Sequence, residues 1–152
     1  MKKKPVLDDI DRGIINELKK NGRISYKIIA KKLNVSDGTV RFRTNRMIKN
    51  NIIKISALLN PFVFEYNIVA LVRMQLEKRN HIEAMEKISR LKGVVSVCNA
   101  TGSYDLLVEL FLDSRKELNK FLVEDLAKIE GIKSTETSVY LDAKNKWITI
   151  SL

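Results

Sequence analysis

The sequence predicts an α+β chain of two modules, a helical unit at the N-terminus and a ferredoxin-like βαββαβ unit after it. Three observations predict this. Apolar residues recur at helical spacing as far as Ile48, whereas from Ile68 onward they alternate at strand spacing in four stretches. The charge divides in the same place: residues 1 to 60 carry 15 Lys and Arg against 5 Asp and Glu, and residues 61 to 152 carry 13 against 13. Finally, "LKGVVS" (91–96) returns 38 residues later as "IEGIKS" (129–134), each ending a helix and starting a strand, as two split βαβ halves would produce.

Composition narrows the function. A chain of 152 residues, 45% hydrophobic, is long enough to bury a core. No run approaches the roughly 18 consecutive apolar residues of a membrane span, so no membrane partner is expected and the cytoplasm is the expected location. One cysteine and one histidine exclude an internal disulfide and a zinc site built from several such ligands. The net charge of +10 lies wholly in the first 60 residues, which points the helical module at a polyanion and the neutral module at something else.

In the first module Asp8 precedes a helix with Ile10, Ile14 and Leu18 on one face, stopped by Lys20 to Gly22. Ser25 caps a second helix, "SYKIIAKKL", with Ile28, Ile29 and Leu33 inward, and Asn34 marks a tight turn. Ser36 caps the third, "SDGTVRFRTNRMIKNN", entered through a hydrophobic staple of Val35 and Val40. Ala30, Asn34 and Val40 have the spacing of a helix-turn-helix: a small residue at the crossing, a turn residue, and a β-branched residue locking the second helix onto the first.

On the third helix, Val40, Thr44, Met47 and Ile48 face the core, while Gly38, Phe42, Asn45 and Lys49 form the opposite arc, flanked by Thr39, Arg41 and Arg46. That arc suits double-stranded DNA. Gly38 permits close approach, Asn45 matches an adenine edge, Phe42 a thymine methyl, and the arginines guanine or phosphate. Ser25, Tyr26, Ser36 and Arg43 complete the candidate DNA-binding set.

"NNIIKISALLNP", Asn50 to Pro61, reads as a connecting strand ended by an Asn-Pro turn. Further strands are expected near Ile68 to Leu76, Val94 to Ala100, Asp105 to Leu112 and Ser134 to Leu141. Asn80 with Glu83, and Ser114 with Glu117, are capping boxes or near variants for two intervening helices, and Gly93 and Gly131 stand at their C-caps. Right-handed crossovers put both helices on one face of the sheet. The other face, partly apolar along its strands, calls for a second sheet, most economically its own copy. His81 is expected in a first helical turn on the surface, Cys98 as a small strand side chain, and Trp147 packed in a final short strand.

"LDDIDRGIINELKKNGRISYKIIAKKLNVSDGTVRFRTNRM", the connector "IIKISALLNP", and "ATGSYDLLVEL" followed by "STETSVYL" together resemble, over nearly the full chain, the Lrp/AsnC (leucine-responsive, feast/famine) transcription regulators. The resemblance implies a winged-helix-like helix-turn-helix domain over 1–50, a strand connector over 51–62 and a ferredoxin-like RAM domain over 63–152. It also implies homodimers made by the regulatory sheets, octamers built as tetramers of dimers, and amino acids as effectors. In these regulators the turn matching Thr101 to Asp105 forms part of an effector pocket between dimers. Gly102 would let backbone N–H groups approach a carboxylate, Asp105 would hold an ammonium, and Ser103 and Tyr104 would add polarity. Thr135, Glu136 and Thr137 would contribute from a neighbouring subunit. Where relatives commonly carry a charged residue and an arginine, this chain has Ser103 and Phe42.

The leading reading is a sequence-specific DNA-binding transcriptional regulator modulated by a small amino acid, with a lean to a polar one, and no cofactor. The alternative is an effector-independent, weakly sequence-specific DNA-organising protein, told apart by the ratio of specific to non-specific affinity. An enzyme is not expected, since no phosphate loop, Cys-His or Ser-His pairing, or metal set is present in the sequence.

Overall fold

Helical stripes in the first third and alternation in the remainder fold as separate units. The computed structural model describes residues 6–77 and 80–149, and the chain divides into compact units Met1–Ser56 and Ala57–Leu152.

The first unit holds α1 (Asp9–Lys20), α2 (Tyr26–Leu33) and α3 (Asp37–Lys49). Each begins at a side-chain cap. The Asp8 carboxylate accepts the Asp11 N–H at 2.9 Å while the Asp11 carboxylate accepts the Asp8 N–H at 3.4 Å, and Ser25 and Ser36 accept the N–H groups of Ile28 and Thr39. Asn34 takes the left-handed conformation, φ 53°, that the tight turn between α2 and α3 requires. Ile14, Ile29, Ala30, Val40 and Met47 form the core, with Val35 packed against it. Two predicted core residues are turned out: Ile28 is 50% exposed and Ile48 41%. Each neighbours a fully buried residue, Ile29 or Met47, and consecutive helical positions lie about 100° apart, so a three-helix core encloses only one of each pair.

The second unit is a four-stranded antiparallel sheet in the order β2-β3-β1-β4. Its elements are β1 (Ile68–Leu76), α4 (His81–Ser89), β2 (Val94–Asn99), β3 (Leu106–Leu112), α5 (Arg115–Lys120) and β4 (Ile132–Val139). The chain stays helical beyond α5, widening into a π-helical stretch over Phe121–Asp125 and tightening to a 3₁₀ turn over Leu126–Lys128. Ile68, Ala70, Val72 and Met74 of β1 join Leu106, Val108, Leu110 and Leu112 of β3 on one face. Ala84 and Ile88 of α4 and Phe121, Leu126 and Ile129 cover that face. At the entry to β2, Gly93 has φ +81°, and a Cβ there would lie 2.9 Å from the Phe111 carbonyl oxygen.

Several predicted features differ. The connecting strand is not formed as a continuous element: Leu59 pairs in an isolated antiparallel bridge with Ile148. Strand geometry needs a partner for successive backbone groups, and Ile52 and Ile53 instead pack on the helical core. The bridge seats Ile148 inward and leaves Trp147 56% exposed, because side chains alternate across a strand. The second sheet face is covered in part by the chain itself, where Val69, Phe111 and Ile148 cluster with Phe62, Val95 and Tyr140. Asn80 makes no cap; its side-chain amide donates to the Glu83 carboxylate. His81 opens α4 as predicted but is half-buried.

Thr44 is fully buried, and its hydroxyl has no hydrogen-bond partner among the described residues. Thr44→Val should therefore raise stability by about 1 kcal/mol in urea denaturation, an unpaired buried hydroxyl being destabilising. Gly93→Ala should cost about 2 kcal/mol or more, from the positive φ together with the carbonyl contact. Hydrogen bonding from Arg43, then from the Asp11 N–H, holds the Asp8 carboxyl below its ordinary value of 3.8. The folded pKa is depressed, so the contribution is present above pH 3.8 and lost as pH falls through the lower folded value. Acid titration followed by circular dichroism should show less loss below that pH in Asp8→Asn than in the parent.

Candidate DNA-recognition helix and effector turn

The exposed arc of α3 is built as its periodicity requires. Val40, Thr44 and Met47 are buried, and Gly38, Phe42, Asn45 and Lys49 are exposed, with Phe42 at 68%. Arg41 is steered from two sides: its guanidinium lies 5.6 Å from the centre of the Tyr26 ring on α2 and 3.7 Å from Asp37. Ser36 and Thr39 share a hydroxyl contact of 2.8 Å at the helix start, so the two candidates order the N-terminus of α3 itself. Ser25 does the same for α2.

Arg43 departs from its predicted role. Its guanidinium donates to Asp8 at 2.5 Å and to Asp11 at 3.1 Å, and only 20% of the side chain is exposed. Its position on the flank of the core stripe turns it toward α1, where two carboxylates wait. Arg46 donates to the other oxygen of Asp11 at 2.7 Å but remains 42% exposed. Asp8 was legible only as the residue that starts α1, and Asp11 was missed, since their arginine partners lie 32 to 35 residues away.

In the second unit, the turn from Thr101 to Asp105 is tied down from β1. The Asp105 N–H donates to the Met74 carbonyl, its carbonyl accepts the Ala100 N–H, and its carboxylate accepts the Leu76 N–H at 2.8 Å. One oxygen of the Asp105 carboxylate is thus engaged in holding the turn. Thr101, Gly102 and Ser103 are exposed, and Gly102 has φ +115° with open space where a Cβ would stand.

Around the turn runs a polar network on the sheet face away from α4 and α5. Gln75 donates to the Ser103 carbonyl at 2.8 Å and accepts from Ser134 at 2.9 Å. Arg73 donates to Glu136 at 3.0 Å and to Ser138 at 2.8 Å, and the Tyr104 hydroxyl donates to the other Glu136 oxygen. That bond to a carboxylate raises the Tyr104 pKa above its ordinary value. Glu136 therefore meets Tyr104 within one chain. Thr135 and Thr137 do not; they stand opposite Met74 and Val72, with the register of the helix-covered face. Arg73, Gln75, Ser134 and Ser138 escaped sequence reasoning, although the change from Val69 and Leu71 to Arg73 and Gln75 along alternate positions of β1 was a usable signal. Among the described residues no helix is long and apolar enough to cross a membrane, and no three His, Cys, Asp or Glu side chains are grouped to hold a metal ion.

Residues 7–54 match a winged helix-turn-helix DNA-binding model, and residues 69–146 match the Lrp/AsnC ligand binding domain. The chain is 43% identical over 143 residues to an uncharacterised HTH-type transcriptional regulator of Pyrococcus furiosus, covering 93% of this chain and 96% of the relative. The solved structure of E. coli AsnC superposes with a TM-score of 0.70 at 27% identity, covering 91% of this chain and 95% of that one. A transcriptional regulator of Neisseria meningitidis, solved in complex with L-Met, has the same fold, with a TM-score of 0.67 at 22% identity and coverage of 90% and 91%. With a DNA-binding helix-turn-helix followed by the matching ligand-binding domain, the chain belongs to the Lrp/AsnC family of transcriptional regulators.

Proposed function

We propose that this regulator binds DNA sequence-specifically and that a small amino acid held by its sheet domain modulates the binding or the assembly. The observation that carries the first half is the exposed arc of Gly38, Phe42, Asn45 and Lys49 on a capped helix whose opposite side is core. There Asn45 reads an adenine edge, Phe42 contacts a thymine methyl, and Arg41, Arg46 and Lys49 meet guanine or phosphate. Tyr26 orients Arg41, and Ser25, Ser36 and Thr39 hold the helix starts.

For the effector, the bare backbone at Gly102 admits a carboxylate, and Asp105, which holds the turn through one oxygen, faces the ammonium together with Glu136 beside Tyr104. Thr101 and Ser103 favour a polar side chain, and the Neisseria regulator's complex with L-Met supports an amino acid as the ligand class. Thr135 and Thr137 act from a neighbouring subunit, in homodimers that assemble as a tetramer of dimers. The domain neutrality over residues 61 to 152 allows such packing without repulsion between copies.

Thermal-shift screening of the full chain with the twenty amino acids tests the effector reading. A ligand at 100 times its Kd should stabilise by about 2.7 kcal/mol, and a flat screen would favour the effector-independent alternative. Glu136 is 57% exposed. Glu136→Gln should abolish the shift yet alter ligand-free stability by less than about 1 kcal/mol, whereas Asp105→Ala should lower ligand-free stability by about 1–3 kcal/mol by orphaning the Leu76 N–H. For DNA, Asn45→Ala should weaken a preferred duplex by about 1–3 kcal/mol more than a random one. Equal losses on both would reduce Asn45 to a positioning contact.

A further inference from the structure

Asp11 is 1% exposed, and an ionised carboxylate is there surrounded by α1 and α3. Its two oxygens are divided between two arginines of α3: one accepts from Arg43 at 3.1 Å, the other from Arg46 at 2.7 Å. Asp8 adds a second carboxylate to Arg43, so the cluster of two acids and two arginines is neutral. Arg43 is doubly held. Among the described residues Arg46 is held at one nitrogen, beside Asn45 and one turn beyond Phe42, at the margin of the exposed arc.

Two physical points make this more than a fastening. An apolar pair of similar volume would hold α1 on α3 at least as well as a buried ion cluster, so adhesion alone does not require these charges. And a guanidinium has five N–H donors in a rigid plane, so anchoring one of them fixes the direction of the rest. Phosphate neutralisation needs only the charge. A bidentate contact to a base edge needs the plane, which ties an anchored arginine to specificity more than to bulk affinity.

We infer that Asp11 is a positioning residue for base recognition: its buried carboxylate aims the Arg46 guanidinium at a guanine edge from the margin of α3 and withdraws Arg43 from the DNA-facing set. The inference rests on the sequence-specific reading of the helix-turn-helix. It predicts that the ratio of specific to non-specific affinity depends on the Asp11–Arg46 bond and not merely on positive charge at position 46.

The test uses the full chain and two duplexes, one carrying the sequence that the wild-type protein enriches from a random pool and one with that sequence scrambled. Fluorescence anisotropy at fixed salt gives both affinities. Arg46→Lys keeps the charge but loses the planar fork, and should lower the ratio about tenfold. Asp11→Asn, confirmed folded by circular dichroism, should lower it in the same direction, and the double variant should lose no more than the larger single effect, as coupled residues do. An unchanged ratio in Arg46→Lys, which needs no change in the buried acid, would overturn the inference, as would losses that simply add. A wild-type protein that enriches no sequence would overturn the underlying reading as well. Discrimination by the wild type that Arg46→Lys retains would overturn this inference alone.

Discussion

Asp11 takes a charge out of water, and the DNA-binding unit is arranged around that cost. Removing one partner of a buried ion pair costs about 3–5 kcal/mol, so Arg43 and Arg46 must stay within reach of α1 whatever else α3 does. That requirement sets the rotation of α3 about its axis. With Arg43 and Arg46 turned to α1 and Val40, Thr44 and Met47 turned to the core, the residues left to face outward are Gly38, Phe42, Asn45 and Lys49. The capping box serves the same end, since Asp8 both starts α1 and completes the charge balance around Arg43.

The sheet unit depends on β1 in a comparable way. It is paired on both sides, and its alternation assigns Ala70, Val72 and Met74 to the core and Val69, Leu71, Arg73 and Gln75 to the opposite face. Along that opposite face the character changes from apolar to polar. The chain covers the apolar end with Phe62 and Ile148, and at the polar end Arg73 and Gln75 reach β4 and the turn at Ser103. Because Asp105 joins its backbone to Met74 and its carboxylate to the Leu76 N–H, the turn inherits its position from the most constrained strand of the domain. A turn held this way presents Gly102 and Tyr104 at reproducible positions without contributing to the core itself.

What could be read from the sequence was whatever is encoded locally. The three caps at Asp8, Ser25 and Ser36, the left-handed turn at Asn34, the βαββαβ order and the exposed arc of α3 all follow from residues within a few positions of one another. What could not be read depends on partners far away in the chain. Arg43 looks like a DNA contact until Asp8 and Asp11 are placed beside it, and the part Asp105 plays in holding its turn is invisible until Leu76, 29 residues earlier, offers its N–H. The connector failed for a related reason: apolar β-branched residues at 52, 53 and 55 satisfy a strand pattern, but a strand also needs a neighbouring strand along its length, and Ile52 and Ile53 pack on the helical core while Leu59 makes an isolated bridge to Ile148. Ile28 and Ile48 mark the resolution limit of periodicity, which places a residue on a broad face without saying how much of that face a small core will cover.

The division of charge gives the two modules different relations to their own copies. Helical units each carrying the full net charge of +10 repel one another at distances up to a Debye length, about 8 Å at physiological salt, whereas the neutral sheet units do not. On the proposed reading, assembly is therefore the work of the sheets, and DNA supplies the counter-charge that lets the basic units crowd together. An effector that alters contacts between sheet units then changes how many basic helices engage one duplex at once. Linking binding modules in this way alters avidity by about 10²–10⁴ without any new contact to DNA. Modulation of DNA binding by an amino acid consequently requires no mechanical strain transmitted into α3. On that reading the geometry of α3, fixed within the first unit by the contacts of Arg43 and Arg46 to Asp11, stays constant while the number of copies presented to DNA changes.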